Sequence, residues 1–470
     1  MNLLAVFGND PWWLVAIKIV ALVVFLLVLT IFNVWFERRV VGKMQQRKGP
    51  IMNGPLGLAQ ALADGVKLLL KEDFRPKGAD KVIFTLAPLL TGTAAFTAWS
   101  VIPIGGEVTI FGVTTNLQLT DLPMGVLFIL SVAAVGIYGV VLAGWASTSE
   151  YSLVGSIRST AQMISYEIAM GLSLVSVFMY ASSMSTSDIV AAQAAPFGVF
   201  PQLQFPSWYA ILLFPSFVIY VMSMVAETNR APFDLVECEQ ELVSGYLTDY
   251  SGFRYAIYFL AEYINMATVS AVATTLFLGG YHAPWPIAPW LTDVNGFGWL
   301  DSGWMGPVWF VAKVMCFIFL FVWLRGSLPR LRYDQFMHLG WKWLIPINLG
   351  WIVVVAVARI GSSQNWFTGP VLMIAAGMVI LLLLVIIFIP SSEPKVRSEV
   401  SRVPNTDQGV FDPFAEGYPT PPMPGQLLPE LADVLVGPAG QLTVEPAQPG
   451  DPARSGGDPA PVSAEQKTEA

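Results

Sequence analysis

The sequence predicts an all-α polytopic membrane protein of about nine transmembrane helices, with an amphipathic helix on the cytoplasmic side. Three observations predict it. Apolar residues make up 54% of 470 positions and charged residues only 12%, with a mean hydropathy of +0.60. A soluble surface carries about 25% charged residues, so this chain cannot cover itself for water. Apolar runs of about 20 residues, the length that spans a bilayer, recur along it. Lys and Arg gather in alternate connecting segments.

The nine runs lie near 14–36, 82–102, 122–145, 160–180, 208–228, 255–280, 307–325, 343–360 and 370–389. The first is too long for the apolar core of a signal peptide and reads as a retained anchor. With the N-terminus outside, segments 37–81, 146–159, 229–254, 326–342 and the tail face the cytoplasm. The N-terminal stretch and loops 103–121, 181–207, 281–306 and 361–369 contain no Lys or Arg. Lys18, Lys313 and Arg359 fall within runs, Arg325 closes the seventh run at its cytoplasmic end, and the other 21 bases lie on the cytoplasmic side. This predicts a multi-pass protein of the bacterial plasma (inner) membrane, N-terminus outside and C-terminus cytoplasmic. The outer loops look plain, apart from a Trp- and Pro-rich stretch around 281–306 that reads as an interfacial anchor.

Two domains follow: a helix bundle over 1–390 and a tail over 391–470. The tail holds 14 of the 34 prolines and no long apolar run. It cannot bury enough surface to offset ordering entropy, so disorder is expected. Its 12 acids against 5 bases account for most of the net charge of −8. The acidic balance therefore says little about what the bundle binds, and nothing points to nucleic acid. Cys238 and Cys316 are too few to hold an iron–sulfur cluster. His282 and His338 are too few to ligate two membrane haems. Any electron carrier is expected to be bound elsewhere.

The cytoplasmic face carries the information. From Leu56 to Glu72, Leu58, Leu62, Val66 and Leu69 form one stripe at helical spacing. Gln60, Asp64, Lys67 and Lys71 form another. This predicts an amphipathic helix, started by Pro55, that either lies on the membrane with solvated charges or turns Asp64 and Lys67 toward a ligand chamber. From Glu227 to Glu241, Asp234, Glu237 and Glu239 complete a set of five acids against one base, Arg230. With Pro232 in a first helical turn, Asp234, Glu237 and Glu241 would share a face. Such a cluster, if partly buried, must share protons. Glu167 and Glu262 lie inside the fourth and sixth runs, where acids are costly and face an interior path or a paired base. Lys313 is the base in reach by sequence.

The same segments carry a resemblance. Glu37–Pro50 reads ERRVVGKMQQRKGP, Gly144–Glu167 reads GWASTSEYSLVGSIRSTAQMISYE, Ala226–Tyr263 begins AETNRAPFDLVECEQE, and Arg325–Pro346 reads RGSLPRLRYDQFMHLGWKWLIP. These blocks cover the inner segments in order, across roughly 14–360. The chain resembles the H-subunit family of proton-pumping NADH–quinone oxidoreductase, respiratory complex I. Ile51 and Glu150 depart from the family's usual residues, and the ninth run and tail extend beyond its core of eight helices.

The resemblance implies a membrane component of a proton-translocating enzyme. It would join the membrane arm to the peripheral arm, form the quinone chamber, and couple quinone reduction to proton movement. Quinone would be the substrate. NADH, FMN and iron–sulfur clusters would sit in partner subunits, with peripheral-arm iron–sulfur subunits docked on the cytoplasmic face. Other membrane-arm subunits and lipid would surround the bundle. Arg38, Gln45, Arg47, Asp64, Lys67 and Arg230 become candidates for the chamber. Glu167, Glu227, Asp234, Glu237, Glu239, Glu241 and Glu262 become candidates for the proton path. A homologous component of a membrane-bound hydrogenase or ferredoxin-linked complex is the alternative. A free-standing carrier should show paired broken helices in two halves, and no clear pair is seen.

Overall fold

A computed structural model describes residues 10–194, 197–200, 203–205, 207–234, 243–284 and 303–363. The ninth run, the Trp-rich stretch from Trp285, Glu237, Glu239, Glu241 and the tail lie outside those residues.

Helix α1, Trp12–Met44, is 33 residues long. At ~1.5 Å per residue it is about 50 Å long, against a hydrocarbon layer of ~30 Å. The apolar run ends near 36, but the helix continues through Glu37, Arg38 and Arg39. Nothing stops it until Gln46, at φ 56. The chain then folds back. A Cβ on Gly57 would lie 2.2 Å from the carbonyl oxygen of Pro50, so the turn closes only with glycine there. Helix α2, Gln60–Leu70, occupies the predicted amphipathic position. Its stripe residues Leu62, Val66 and Leu69 are exposed, as is Leu58 just ahead of it.

Helix α3, Lys81–Ala98, begins at Asp80, whose carboxylate accepts from the Val82 and Ile83 N–H groups. A hairpin of β1, Gly105–Ile110, and β2, Val113–Leu117, follows. Phe111 and Gly112 both have positive φ, as a two-residue primed turn requires. Helix α4, Gly125–Ala146, returns against α3 along small residues. A Cβ on Gly139 would fall 2.0 Å from the Thr91 hydroxyl. Helix α5, Glu150–Ala181, buries Ser152, Ser156, Ser159, Gln162, Ser165, Ser173 and Ser176. Its Ser165 and Ser173 hydroxyls donate to carbonyls three or four residues back, which satisfies them without a partner helix.

Beyond α6, Thr186–Ala194, strands β3, Phe197–Phe200, and β4, Leu203–Phe205, pair antiparallel. The fifth run forms two pieces, α7, Tyr209–Leu212, and α8, Phe214–Glu227. Leu213 leaves helical geometry, and Pro215, with no N–H to donate, sits in the first turn of α8. Then come α9, Gly252–Phe277, α10, Gly306–Ser327, and α11, Tyr333–Leu339. A π-helical turn, Gly340–Leu344, leads into α12, Ile345–Ser363.

Among the described residues, seven helices are long and apolar enough to cross a membrane, and α8 is an eighth, shorter apolar helix. The protein is polytopic and mostly helical. Two expectations need correction. The loops expected on the outer side are not plain, because strands within 103–121 and 181–207 pair into hairpins. Lys313 does not pair with Glu167 or Glu262. Its ammonium donates to the carbonyls of Leu278, Gly280 and His282 at 2.7–2.9 Å, capping the end of α9. At the same end, Lys18 binds Asp10 and Thr115 at 2.6 Å each.

Candidate functional site

Three helices and the turn after α8 meet around one buried carboxylate. Glu37, on the extension of α1, receives Arg230 at 3.4 Å and Arg325 on one oxygen. Its other oxygen accepts from the Tyr263 hydroxyl at 2.7 Å. Arg230 also pairs with Glu262 at 3.0 Å and lies over the Tyr263 ring, 4.4 Å from its centre. Two arginines thus face two glutamates, so the centre is neutral. Neutrality matters because Glu37 and Arg230 are each 6% exposed, and a lone charge there would be costly.

Arg230 reaches this centre because α8 stops short of it. Asn229 adopts φ 50, and the chain turns away from the helix axis. Gln162 of α5 fixes the turn, its amide donating to the carbonyls of Ala226 and Phe233 at 2.8 Å each. Phe233 packs against Tyr166 and Phe336, and the Tyr166 hydroxyl donates to the Phe336 carbonyl at 2.8 Å. The segment from Ala226 to Phe233 is therefore held from two helices, α5 and α11.

The second group lies beside it, on α2. Asp64 pairs with Arg38 at 2.6 Å and with Lys67 at 3.5 Å, and accepts from Gln60 at 3.1 Å. Partial burial works against its charge. Arg38, through a hydrogen bond and its own charge, outweighs that with help from Lys67 and Gln60, and Asp64 sits below the usual aspartate value. Arg39 anchors the turn by donating to the Leu56 carbonyl at 3.0 Å. Gln45 and Arg47 pair with each other at 2.7 Å on the exposed end of α1. The expected chamber residues therefore fall into three places: Arg38, Asp64 and Lys67 together, Gln45 with Arg47, and Arg230 in the buried centre.

The acids divide similarly. Glu227, at the end of α8, is buried, and its Oε2 makes no hydrogen bond to the chain. Glu167, half-buried on α5, is the acid that acts on it electrostatically. Glu262 belongs to both groups, as the partner of Arg230 and as a neighbour of Glu227 across a small cavity. Asp234 closes the described part of the acidic segment.

Sequence reasoning missed Glu37, Arg325, Tyr263 and Gln162. Glu37 reads as an ordinary juxtamembrane charge beside two arginines. The available signal was Asn33, one turn earlier on the same face, a second polar group inside an apolar run. Both are buried.

A family model described as NADH dehydrogenase matches residues 17–356. The chain belongs to this family. Among its relatives, a protein of Cutibacterium acnes, named as the H subunit of NADH-quinone oxidoreductase, is 56% identical over 427 residues, which is 90% of this chain and 94% of the relative. A protein of Streptomyces avermitilis with the same name is 50% identical over 432 residues, 91% of each. Both alignments are longer than the family match, so likeness within the NADH dehydrogenase family extends beyond its shared region. The Glu37 centre and the Arg38–Asp64 group both lie inside the matched residues.

Proposed function

We propose that this protein is the H-type membrane component of a bacterial NADH–quinone oxidoreductase. In this reading it joins the two arms of the complex, lines the quinone chamber and couples quinone reduction to proton translocation. The observation that carries the reading is the adjacency of Glu37 and Arg38. Arg38 holds the Asp64 group on α2, while Glu37 holds the buried Arg230–Glu262 centre. A change of charge at the first reaches the second through neighbouring residues of one helix.

Arg38, Gln45, Arg47, Asp64 and Lys67 then shape the chamber, and Arg230 links it to the acids. Glu262, Glu227 and Glu167 continue inward, with Asp234, Glu237, Glu239 and Glu241 supplying protons from the cytoplasmic side. The electron carriers, FMN and iron–sulfur clusters, belong to partner subunits, consistent with only two Cys and two His in the sequence. The names of the relatives favour the quinone enzyme over the hydrogenase alternative. An affinity tag on this chain should draw out NADH-oxidising activity, FMN and iron–sulfur signals from solubilised membranes. A tagged chain that elutes as an intact protein without any of them refutes the assignment.

A further inference from the structure

Between Glu227 and Glu262 lies a cavity of about 40 Å³, lined by those two carboxyls and by Thr91, Thr228, Asn229 and Asn265 among others. That is room for about two or three waters, and polar groups surround it on several sides. Two acceptors on this lining, Glu227 Oε2 and Asn229 Oδ1, are buried without a partner in the chain. A buried acceptor left unsatisfied costs roughly 1–3 kcal/mol, and water is the ligand that fits both the volume and the chemistry.

A second cavity of about 60 Å³ adjoins it and shares Thr91, Met163, Glu227, Asn265 and Thr228, whose hydroxyl donates to carbonyls of its own helix. The rest of that lining is almost wholly apolar. Its other polar groups are already engaged: Tyr220 donates to the Val269 carbonyl, and Thr268 accepts from Trp99 while donating to the Ile264 carbonyl. Away from the shared polar edge, a lining so apolar stays dry. Thr91 and Asn265 therefore stand at the border between a wet and a dry space. The Thr91 hydroxyl directs its proton to the Ala87 carbonyl, which leaves its lone pairs for water. The amide of Asn265 can both donate and accept, so it can hold a water in either orientation.

We infer that Asn265, assisted by Thr91, is a positioning residue that holds the water bridging Glu227 and Glu262. The inference rests on the proposed proton path and assigns its middle link. The water carries the proton between two carboxyls, and the dry cavity beyond prevents leakage toward the outer face.

The test uses the intact complex. A high-resolution electron cryo-microscopy map should show ordered density between the two carboxyls within hydrogen-bond reach of Asn265. Asn265→Leu should remove it and lower NADH–quinone turnover about tenfold or more, the scale of a lost proton-transfer partner. Reduction of a hydrophilic artificial acceptor should persist. Asn265→Ser, which keeps a hydroxyl and leaves more room for water, should recover much of the loss, and Thr91→Val should fall between. Full turnover in Asn265→Leu, equal damage from Asn265→Ser, or a map with the carboxyls in direct contact overturns the inference. If Asn265→Leu fails to assemble, the wild-type map and Thr91→Val decide. Glu227→Gln separates the two levels. Full turnover there defeats the proton path itself, whereas an impaired Glu227→Gln beside a fully active Asn265→Leu defeats the bridge alone.

Discussion

Arg230→Met keeps most of the side-chain length and removes the charge at the hub of the buried centre. Arg230 and Glu37 have side chains 8% and 9% exposed, so water cannot replace the lost guanidinium. Breaking a buried pair by deleting one partner costs about 3–5 kcal/mol. The loss here falls unevenly. Glu37 keeps Arg325 and Tyr263, whereas Glu262 loses the base at 3.0 Å and is 24% exposed on its side chain. That partial exposure puts the expected cost at the lower end, about 3 kcal/mol, or roughly a hundredfold in the ratio of folded to unfolded chain. The double variant Arg230→Met/Glu262→Gln removes the stranded charge and should restore a large part, with a coupling of about 1–2 kcal/mol. Complex yield on native gels and the rate of thermal inactivation, measured for both singles and the double, test this. Wild-type yield and inactivation in Arg230→Met refutes the reasoning, as does a double variant worse than the sum of the singles.

Asp64→Asn should impair quinone reduction while leaving electron transfer to a hydrophilic acceptor nearly intact; equal loss of both in an assembled complex sinks the chamber assignment. Because the Asp64 carboxyl is held below its ordinary value of 3.8, its charge is complete at neutral pH and is lost only as pH falls through that lowered value. The ratio of wild-type to Asp64→Asn turnover should thus be flat between about pH 6 and 8, and a several-fold drift shows that Asp64 titrates in that range. Glu167→Gln should lower turnover and pumping together, by roughly tenfold or more if Glu167 is an obligatory proton site; full activity of both, in an assembled complex, excludes that. In a background lacking Cys238 and Cys316, Thr468→Cys should react with an impermeant thiol reagent only from the cytoplasmic side, and labelling from outside reverses the proposed orientation.

Periodicity and hydropathy made the long helices legible, because span length and the cost of a base in lipid leave the sequence few options. The position of α2 was legible for the same reason, from two stripes on different faces. The ends of α1 and α5 were not. Hydropathy marks where a helix leaves the bilayer, but α1 runs on to the turn where Gln46, a good helix former that no spacing rule flags, adopts φ 56. The split between α7 and α8 had a sign in Pro215. In the site, Asp64 beside Lys67 could be anticipated because the two share a helix stripe, whereas Arg38 entered only through the family resemblance. The Glu37–Arg230 pair could not, since 193 positions separate its members and only the fold brings the turn after α8 to α1. Lys313 shows the converse error: the sequence offered a base for the buried acids, and folding gave it to the carbonyls at the end of α9.

The length of α1 has a mechanical consequence. One flank of the helix, with Val20, Val24 and Val28, is exposed rather than packed into the bundle. Its two ends are nevertheless tied by charge, Lys18 to Asp10 and Thr115 at one end and Glu37 to two arginines at the other. The ties stand about 28 Å apart along the axis, nearly one hydrocarbon thickness. Axial register and rotation of this rod are thus set by two polar pins together with one packed flank, on which Leu26, Leu29 and Val34 enter the core and Phe25 meets Trp99. Apolar exchanges along the bare flank between them leave its position unchanged. Withdrawing the pin at Glu37 leaves that end held by packing alone, one residue from Arg38 and its partner Asp64.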